Sequence, residues 1–134
     1  LEMPDYLALH QQVDICLDTF PYTGGTTTCH ALTMGVPTLS IAGDTPASHQ
    51  GIAILSQVGL AAEFIAHSKA EFVAMGVAWG GKLAELAALR ATLPDRLEAS
   101  PIRHPEGIAV GAGRAFRQMW TRWCAGLPPQ SFEV

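Results

Sequence analysis

The first half of this chain contains no lysine and no arginine. Residues 1–67 carry six acids, while all eight bases fall in residues 68–134 beside six further acids, so the halves stand at −6 and +2 behind a formal charge of −4. That absence excludes a nucleic-acid interface in the first half, because nothing there neutralises a phosphate backbone. It also leaves any smaller anion bound there without a local cation. Cysteine is scarce: Cys16, Cys29 and Cys124 are odd in number and show no C-x-x-C spacing. Two lie in apolar surroundings, which reads as reduced thiols and points to a cytoplasmic setting. No apolar run approaches the ~20 residues that span a bilayer, and no signal-peptide pattern opens the chain, so no membrane contact is expected. His10, His30, His49, His67 and His104 lack ligand spacing such as H-x-x-x-H, so no metal site is expected. Ser48 lacks the G-x-S-x-G elbow of a serine hydrolase. There is no initiator methionine ahead of Leu1-Glu2-Met3-Pro4, which suggests a piece of something longer.

What the chain does have is 49 % hydrophobic residues and only 15 % charge over 134 positions. That is enough for one folded core, and a single α/β domain is expected. Its most informative stretch runs from Val13 to Leu32. Val13–Thr19 reads as an apolar strand, Gly24-Gly25 as a tight loop, and Thr26-Thr27-Thr28 as the opening of a helix with a threonine cap. A strand–loop–helix corner of this kind seats a phosphate on free amides at the positive end of the helix dipole. It is equally a plain strand-to-helix turn when nothing binds.

The remaining pattern alternates. A short helix covers Pro4–Gln12 with Leu7 on its buried side, and the helix from Thr26 ends at Gly35. Val36–Ala42 is a second strand. A second long helix, about His49–Val58, is expected to be capped by Ser48 and stopped by Gly59, with Ile52, Ile54, Leu55 and Val58 as its apolar stripe. Glu63–Ala66 is a third strand. Ser68 with Glu71 forms a capping-box pattern for a helix reaching about Leu93, broken midway by Gly76, Gly80 and Gly81. A loop holds Pro94, Pro101 and Pro105. The last helix, about Gly107–Ala125, places Ile108, Ala112, Ala115, Phe116, Met119, Trp120 and Trp123 on one face. Alternation of this kind implies a parallel sheet with right-handed crossovers, and three strands suggest half of a doubly wound domain. Asp14 and Asp18 bracket the first strand, where capping and loop hydrogen bonds account for them. Asp44 lies at the sheet edge where parallel sheets bind ligands.

Taken together, Asp14-Ile15-Cys16-Leu17-Asp18-Thr19, Gly24-Gly25-Thr26-Thr27, Gly35-Val36-Pro37-Thr38 and Gly43-Asp44-Thr45-Pro46-Ala47-Ser48 resemble the C-terminal lobe of the O-linked N-acetylglucosamine transferase family. That family comprises SPINDLY-like and bacterial tetratricopeptide-repeat glycosyltransferases. The resemblance continues through Glu63–Ala66, Arg96, Ser100-Pro101 and Met119-Trp120. It implies a partial Rossmann-like fold (a GT-B C-terminal lobe) with about three parallel strands, flanking helices and a long terminal helix. It also implies a UDP-sugar donor, a protein Ser or Thr hydroxyl as acceptor, and no metal or other cofactor. By position, Gly24, Gly25, Thr26, Thr27 and Thr28 would line the donor diphosphate, and His30 falls where the family commonly has an acid bonding the ribose. The animal enzymes have His at the position of Gly25. Related bacterial sequences often have Arg at His49 and Trp at Thr33.

On that resemblance, residues 1–134 are the C-terminal part of a nucleotide-sugar-binding lobe. The rest of the lobe, its diphosphate-binding lysine, the catalytic N-terminal lobe and the acceptor-binding repeats lie outside this sequence. The chain alone is then expected to be inactive, and no catalytic residue is assigned to it. Two other readings stay open: a non-catalytic α/β interaction module with a degenerate nucleotide site, and another phosphate-ligand enzyme of the doubly wound class. An open sheet edge and an apolar terminal helix further lead to the expectation of a homodimer or a swapped helix.

Overall fold

The computed structural model describes residues 2–133. Met3–Leu9 forms α1, with Pro4 in its first turn, and a 3₁₀ turn continues it over His10–Gln12. β1 (Cys16–Leu17), β2 (Thr38–Ile41) and β3 (Ile65–Ala66) make one parallel sheet in the order β1-β2-β3. Cys16 pairs with Thr38, and Ser40 pairs with Ile65. The strands are shorter than the apolar runs that contain them, but hydrogen bonds from Asp18 N to Leu39 O and from Ala42 N to Ala66 O carry the ladders a residue further. Glu63 and Phe64, expected at the start of the third strand, instead close a short helix α4 (Ala61–Phe64).

β2 is the buried centre of the sheet, and its alternating side chains meet helices on both faces. Leu39 faces α5 (Lys69–Gly80), where a Cβ on Gly76 would lie 3.5 Å from the leucine methyl. Ser40 points the other way, into α3 (Gln50–Gln57), at Gly51. Leu32, Leu39, Leu55, Leu60, Phe64, Leu86 and Leu93 form the core and are essentially inaccessible to water. Each contributes roughly 1.5–3 kcal/mol by leaving water. Phe64 stacks on Trp79 at 4.8 Å between ring centroids.

α2 (Thr26–Thr33) and α3 end alike, on a glycine in the left-handed region with φ of +73°. Gly35 N bonds Leu32 O and Val36 N bonds Ala31 O, while Gly59 N and Leu60 N bond Ser56 O and Leu55 O in the same manner. Both are paired carbonyl-satisfying closures that non-glycine residues enter only with strain. The start of α3 differs from expectation. Ser48 does not cap it; Ser48 completes a capping box with Thr45 around the 3₁₀ turn Pro46–Ser48, and His49 precedes α3 without a side-chain cap. Ser68 does cap α5 by accepting Glu71 N, while Glu71 accepts the His67 amide rather than that of Ser68.

The expected break falls at residues 81–82, where α5 and α6 (Leu83–Glu98) meet at 98°. No single helix among the described residues is long and apolar enough to cross a membrane. Pro94, expected in a loop, lies inside α6. A proline there removes the amide that would bond the Arg90 carbonyl. That carbonyl instead abuts Gly35, where a Cβ would approach it to 2.9 Å, and Arg90 Nε donates to Gly35 O at 3.1 Å. Arg90 also pairs with Asp14.

Contacts divide the chain into two compact units, one ending at Ser100 and one beginning at Pro101. The second holds a 3₁₀ turn at Pro101–Arg103 and α7 (Pro105–Cys124). Phe116, Met119, Trp120 and Trp123 of α7 are all more than half exposed. Together with Leu127, Pro128, Pro129 and Phe132 they line a cavity of about 600 Å³, and Arg122 holds the returning segment by donating to Pro128 O at 2.7 Å.

Candidate functional site

The corner between β1 and α2 is organised by a carboxylate. Asp18 follows β1, and its Oδ1 accepts the amides of Thr19 at 2.9 Å and Gly24 at 2.7 Å. Its Oδ2 accepts the Ser40 hydroxyl at 2.6 Å. One side chain therefore ties the end of β1, the glycine loop and the middle of β2 together. Thr23, fully buried, fastens the other side: its amide and hydroxyl both donate to Ala47 O, and its hydroxyl accepts Gly51 N. The peptide bond Phe20–Pro21 is cis, and Thr19 Oγ1 donates to Tyr22 O across that turn.

The threonines do not cap α2. Gly25 is its N-cap residue, with no side-chain hydrogen bond, and all three threonines lie inside the helix. A Cβ on Gly25 would lie 2.6 Å from Gln50 Oε1, the end of a flexible side chain that would have to move for a larger residue to stand there. Thr28 is buried and turns its hydroxyl back to Gly24 O at 3.0 Å. Thr26 and Thr27 are exposed. The first amides of a helix have no intrahelical acceptor, so this turn presents donors and two exposed hydroxyls at the positive end of the dipole. Gly24 is needed as glycine, because a Cβ there would come within 2.7 Å of Thr27 Oγ1 and 2.8 Å of Thr28 Oγ1.

A cleft of about 220 Å³ opens beside this corner, walled by Tyr6 and His10, by Cys16 to Thr19, and by Thr27, Thr28 and Thr38. Of the six residues expected at the site, Thr27 and Thr28 line it. Gly24, Gly25 and Thr26 belong to the adjoining loop and helix start, and His30 lies one helical turn beyond Thr26. His30 is half-buried with its ring edge-on to Tyr6 at 5.6 Å, and its Nδ1 is buried without a protein partner. Thr38 Oγ1 is buried and unpartnered as well. Burial pushes the Cys16 and Cys29 thiols above the usual cysteine range. Asp44 is exposed in the turn after β2, and His49 Nε2 donates to Gly43 O at 2.5 Å.

Sequence reasoning missed Tyr6, Thr38 and the reach of Asp18 to Ser40. The pairing of Asp18 with Ser40 spans 22 positions and leaves no local pattern. No lysine or arginine from residues 1–67 exists to serve the corner, but Lys69 places its ammonium 5.1 Å from the ring of Phe20 in the preceding turn.

The profile of glycosyl transferase family 41 matches residues 5–105. A protein of Arabidopsis thaliana named probable UDP-N-acetylglucosamine–peptide N-acetylglucosaminyltransferase SPINDLY is 38 % identical over 125 residues, covering 93 % of this chain and 14 % of its own length. Its counterpart of the same name from Oryza sativa subsp. japonica is also 38 % identical, with 93 % and 13 % covered. Among solved structures, a mutant of Thermobaculum terrenum O-GlcNAc transferase superposes with a TM-score of 0.83 at 30 % identity, over 94 % of this chain and 24 % of that one. The α/β architecture with its parallel sheet is thus that of a GT-B glycosyltransferase lobe. The chain spans only about a seventh of the length of the plant relatives.

Proposed function

The chain belongs to glycosyl transferase family 41, and from that premise we propose that it forms the donor-nucleotide part of a glycosyltransferase using a UDP-sugar. UDP-N-acetylglucosamine is the donor named for the plant relatives. The acceptor is a Ser or Thr hydroxyl of a protein, engaged through regions outside this chain, and the chain by itself is inactive. Its free thiols, two partly buried and one exposed, suit a reducing compartment such as the cytoplasm.

One observation carries the reading: α2 opens on Gly25 without a side-chain cap, with Thr26 and Thr27 exposed beside it. When the sugar's anomeric carbon leaves the diphosphate oxygen for the acceptor hydroxyl, negative charge grows on the departing UDP. Fixed amide and hydroxyl donors stabilise that charge without reorganising. His30, half-buried one turn further along, carries a ring that suits a ribose hydroxyl as donor or acceptor according to its tautomer. Calorimetry with UDP and ADP on wild type and on Thr27→Val tests this reading. Saturable UDP binding that Thr27→Val weakens severalfold supports it. Equal affinity for ADP overturns it in favour of another phosphate-ligand enzyme of the doubly wound class. Absence of UDP binding, or UDP binding indifferent to Thr27, overturns it and leaves a non-catalytic interaction module, the reading favoured by the lack of any lysine or arginine in residues 1–67.

The exposed face of α7 is proposed to pair with a second copy of the chain. Phe116, Trp120 and Trp123 are 67 %, 66 % and 76 % exposed. With aromatic side chains carrying roughly 150–250 Å² each, they offer roughly 400 Å², about half of what one partner contributes to a stable interface. Ile108, Met119 and Leu127, each more than half exposed, add most of the remainder. Light scattering at high concentration should give twice the 14.2 kDa chain mass, reduced to one by Trp120→Ser with Trp123→Ser. A monodisperse wild-type monomer contradicts the pairing.

A further inference from the structure

We propose that Asp18 is a positioning residue that sets the shape of the donor loop by using up the Gly24 amide and so aiming those of Gly25 to Thr28 outward. The proposal rests on the donor reading above, and a carboxylate beside a diphosphate site is at first sight the wrong charge for the purpose. Its surroundings resolve this. Both oxygens are engaged, Oδ1 by two backbone amides and Oδ2 by Ser40. Charge-assisted bonds of this kind are about twice as strong as neutral ones, so the loop is fastened more firmly than backbone turns alone achieve.

The packing is arranged around that carboxylate. A Cβ on Gly24 would come within 3.2 Å of Oδ1, and one on Gly51 within 2.8 Å of Oδ2 and 2.7 Å of Ser40 Oγ. Two glycines from separate elements thus leave the space the side chain fills. Gly51 is itself held to the loop, since its amide donates to Thr23 Oγ1. The result is a closed circuit from β1 through Asp18 to Ser40 on β2, across to Gly51 of α3, and back through Thr23 to Gly24. The first turn of α2 follows directly on that circuit, and its amides are left free to meet a ligand.

The role is geometric, so the contacts and the charge that strengthens them can be removed in turn. In Asp18→Asn the amide oxygen still accepts from Thr19 and Gly24, and the amide nitrogen donates to Ser40 Oγ. In Asp18→Ala all three bonds are lost. The test uses the isotope-labelled 134-residue chain, with amide hydrogen exchange measured without ligand and UDP titrated afterwards. Asp18→Ala should speed exchange at Gly24 and Thr19 at least about tenfold and weaken UDP about tenfold or more, the equivalent of about 1.4 kcal/mol. Asp18→Asn, which keeps the three contacts but loses the charge that strengthens them, should fall between wild type and Asp18→Ala on both. In wild type, UDP should shift Gly25 to Thr28 while Gly24 stays protected.

A merely stabilising Asp18 would lower the unfolding midpoint yet leave UDP affinity per folded molecule unchanged in Asp18→Ala, which overturns the proposal. So does an Asp18→Asn loss as large as that of Asp18→Ala. Where Asp18→Ala does not fold, Ser40→Ala removes a single donor and should give the same losses in smaller measure; wild-type values there also overturn it. If wild type shows no UDP response, the donor reading fails, whereas exchange at Gly24 still decides whether Asp18 fixes the loop.

Discussion

Gly35 and Gly59 share one backbone conformation and differ in what stands in front of them, which makes them a matched pair. Both end helices with φ of +73°. Alanine in that region costs about 1–2 kcal/mol from the contact of Cβ with its own backbone. At Gly59 little else is near, the closest atom being Arg96 Nη1 at 3.9 Å. Gly59→Ala should therefore lose only that amount. At Gly35 the new methyl would lie 2.9 Å from the Arg90 carbonyl, a main-chain atom in the middle of α6 that no rotamer change moves aside. Overpacking of this kind adds about 1–3 kcal/mol, so Gly35→Ala should lose about 2–5 kcal/mol in all. Urea unfolding followed by circular dichroism measures both, and an unchanged denaturant slope shows that the loss lies in stability. Equal losses in the two variants would refute the close approach of α2 to α6, and with it the placement of the helix whose first turn carries the proposed site.

Three further outcomes are expected. Because burial raises the Cys16 and Cys29 thiols, the folded protein keeps protons that the unfolded chain has released. Their contribution is complete below the ordinary thiol pKa of about 8.5 and is lost as pH rises toward the folded values; unfolding midpoints at neutral and alkaline pH, with a Cys16→Ala, Cys29→Ala variant as control, check the sign. Exposed Cys124 should be alkylated before either of them, as peptide mapping after brief iodoacetamide treatment will show. Phe64→Ala removes a fully buried ring stacked on Trp79 and should cost about 3–5 kcal/mol in the same urea assay.

The parts of this fold that were legible in the sequence are those with local causes. Gly35 and Gly59 end helices because left-handed backbone favours glycine, and Ser68 starts one because its oxygen reaches an amide three residues on. The parts that were not legible depend on distant neighbours. The helix opens on Gly25, which lies against the Gln50 side chain of α3, so all three threonines fall inside it. Thr45 captures Ser48 before it can serve α3. Pro94 stays helical while the Arg90 carbonyl it frees lies against Gly35. At the site, the glycines and threonines announce a helix-start corner, while the carboxylate that shapes it and the Tyr6 ring that walls its cleft are brought in by tertiary structure alone.

The most direct test of the central claim is a UDP titration of the isotope-labelled chain, reading the backbone amides from Gly24 to Thr28. A donor site predicts saturable shifts at Gly25 to Thr28, with the rest of the sheet unmoved, even at millimolar affinity. Amides that stay in place at saturating UDP, or shifts spread evenly over the surface, would contradict it.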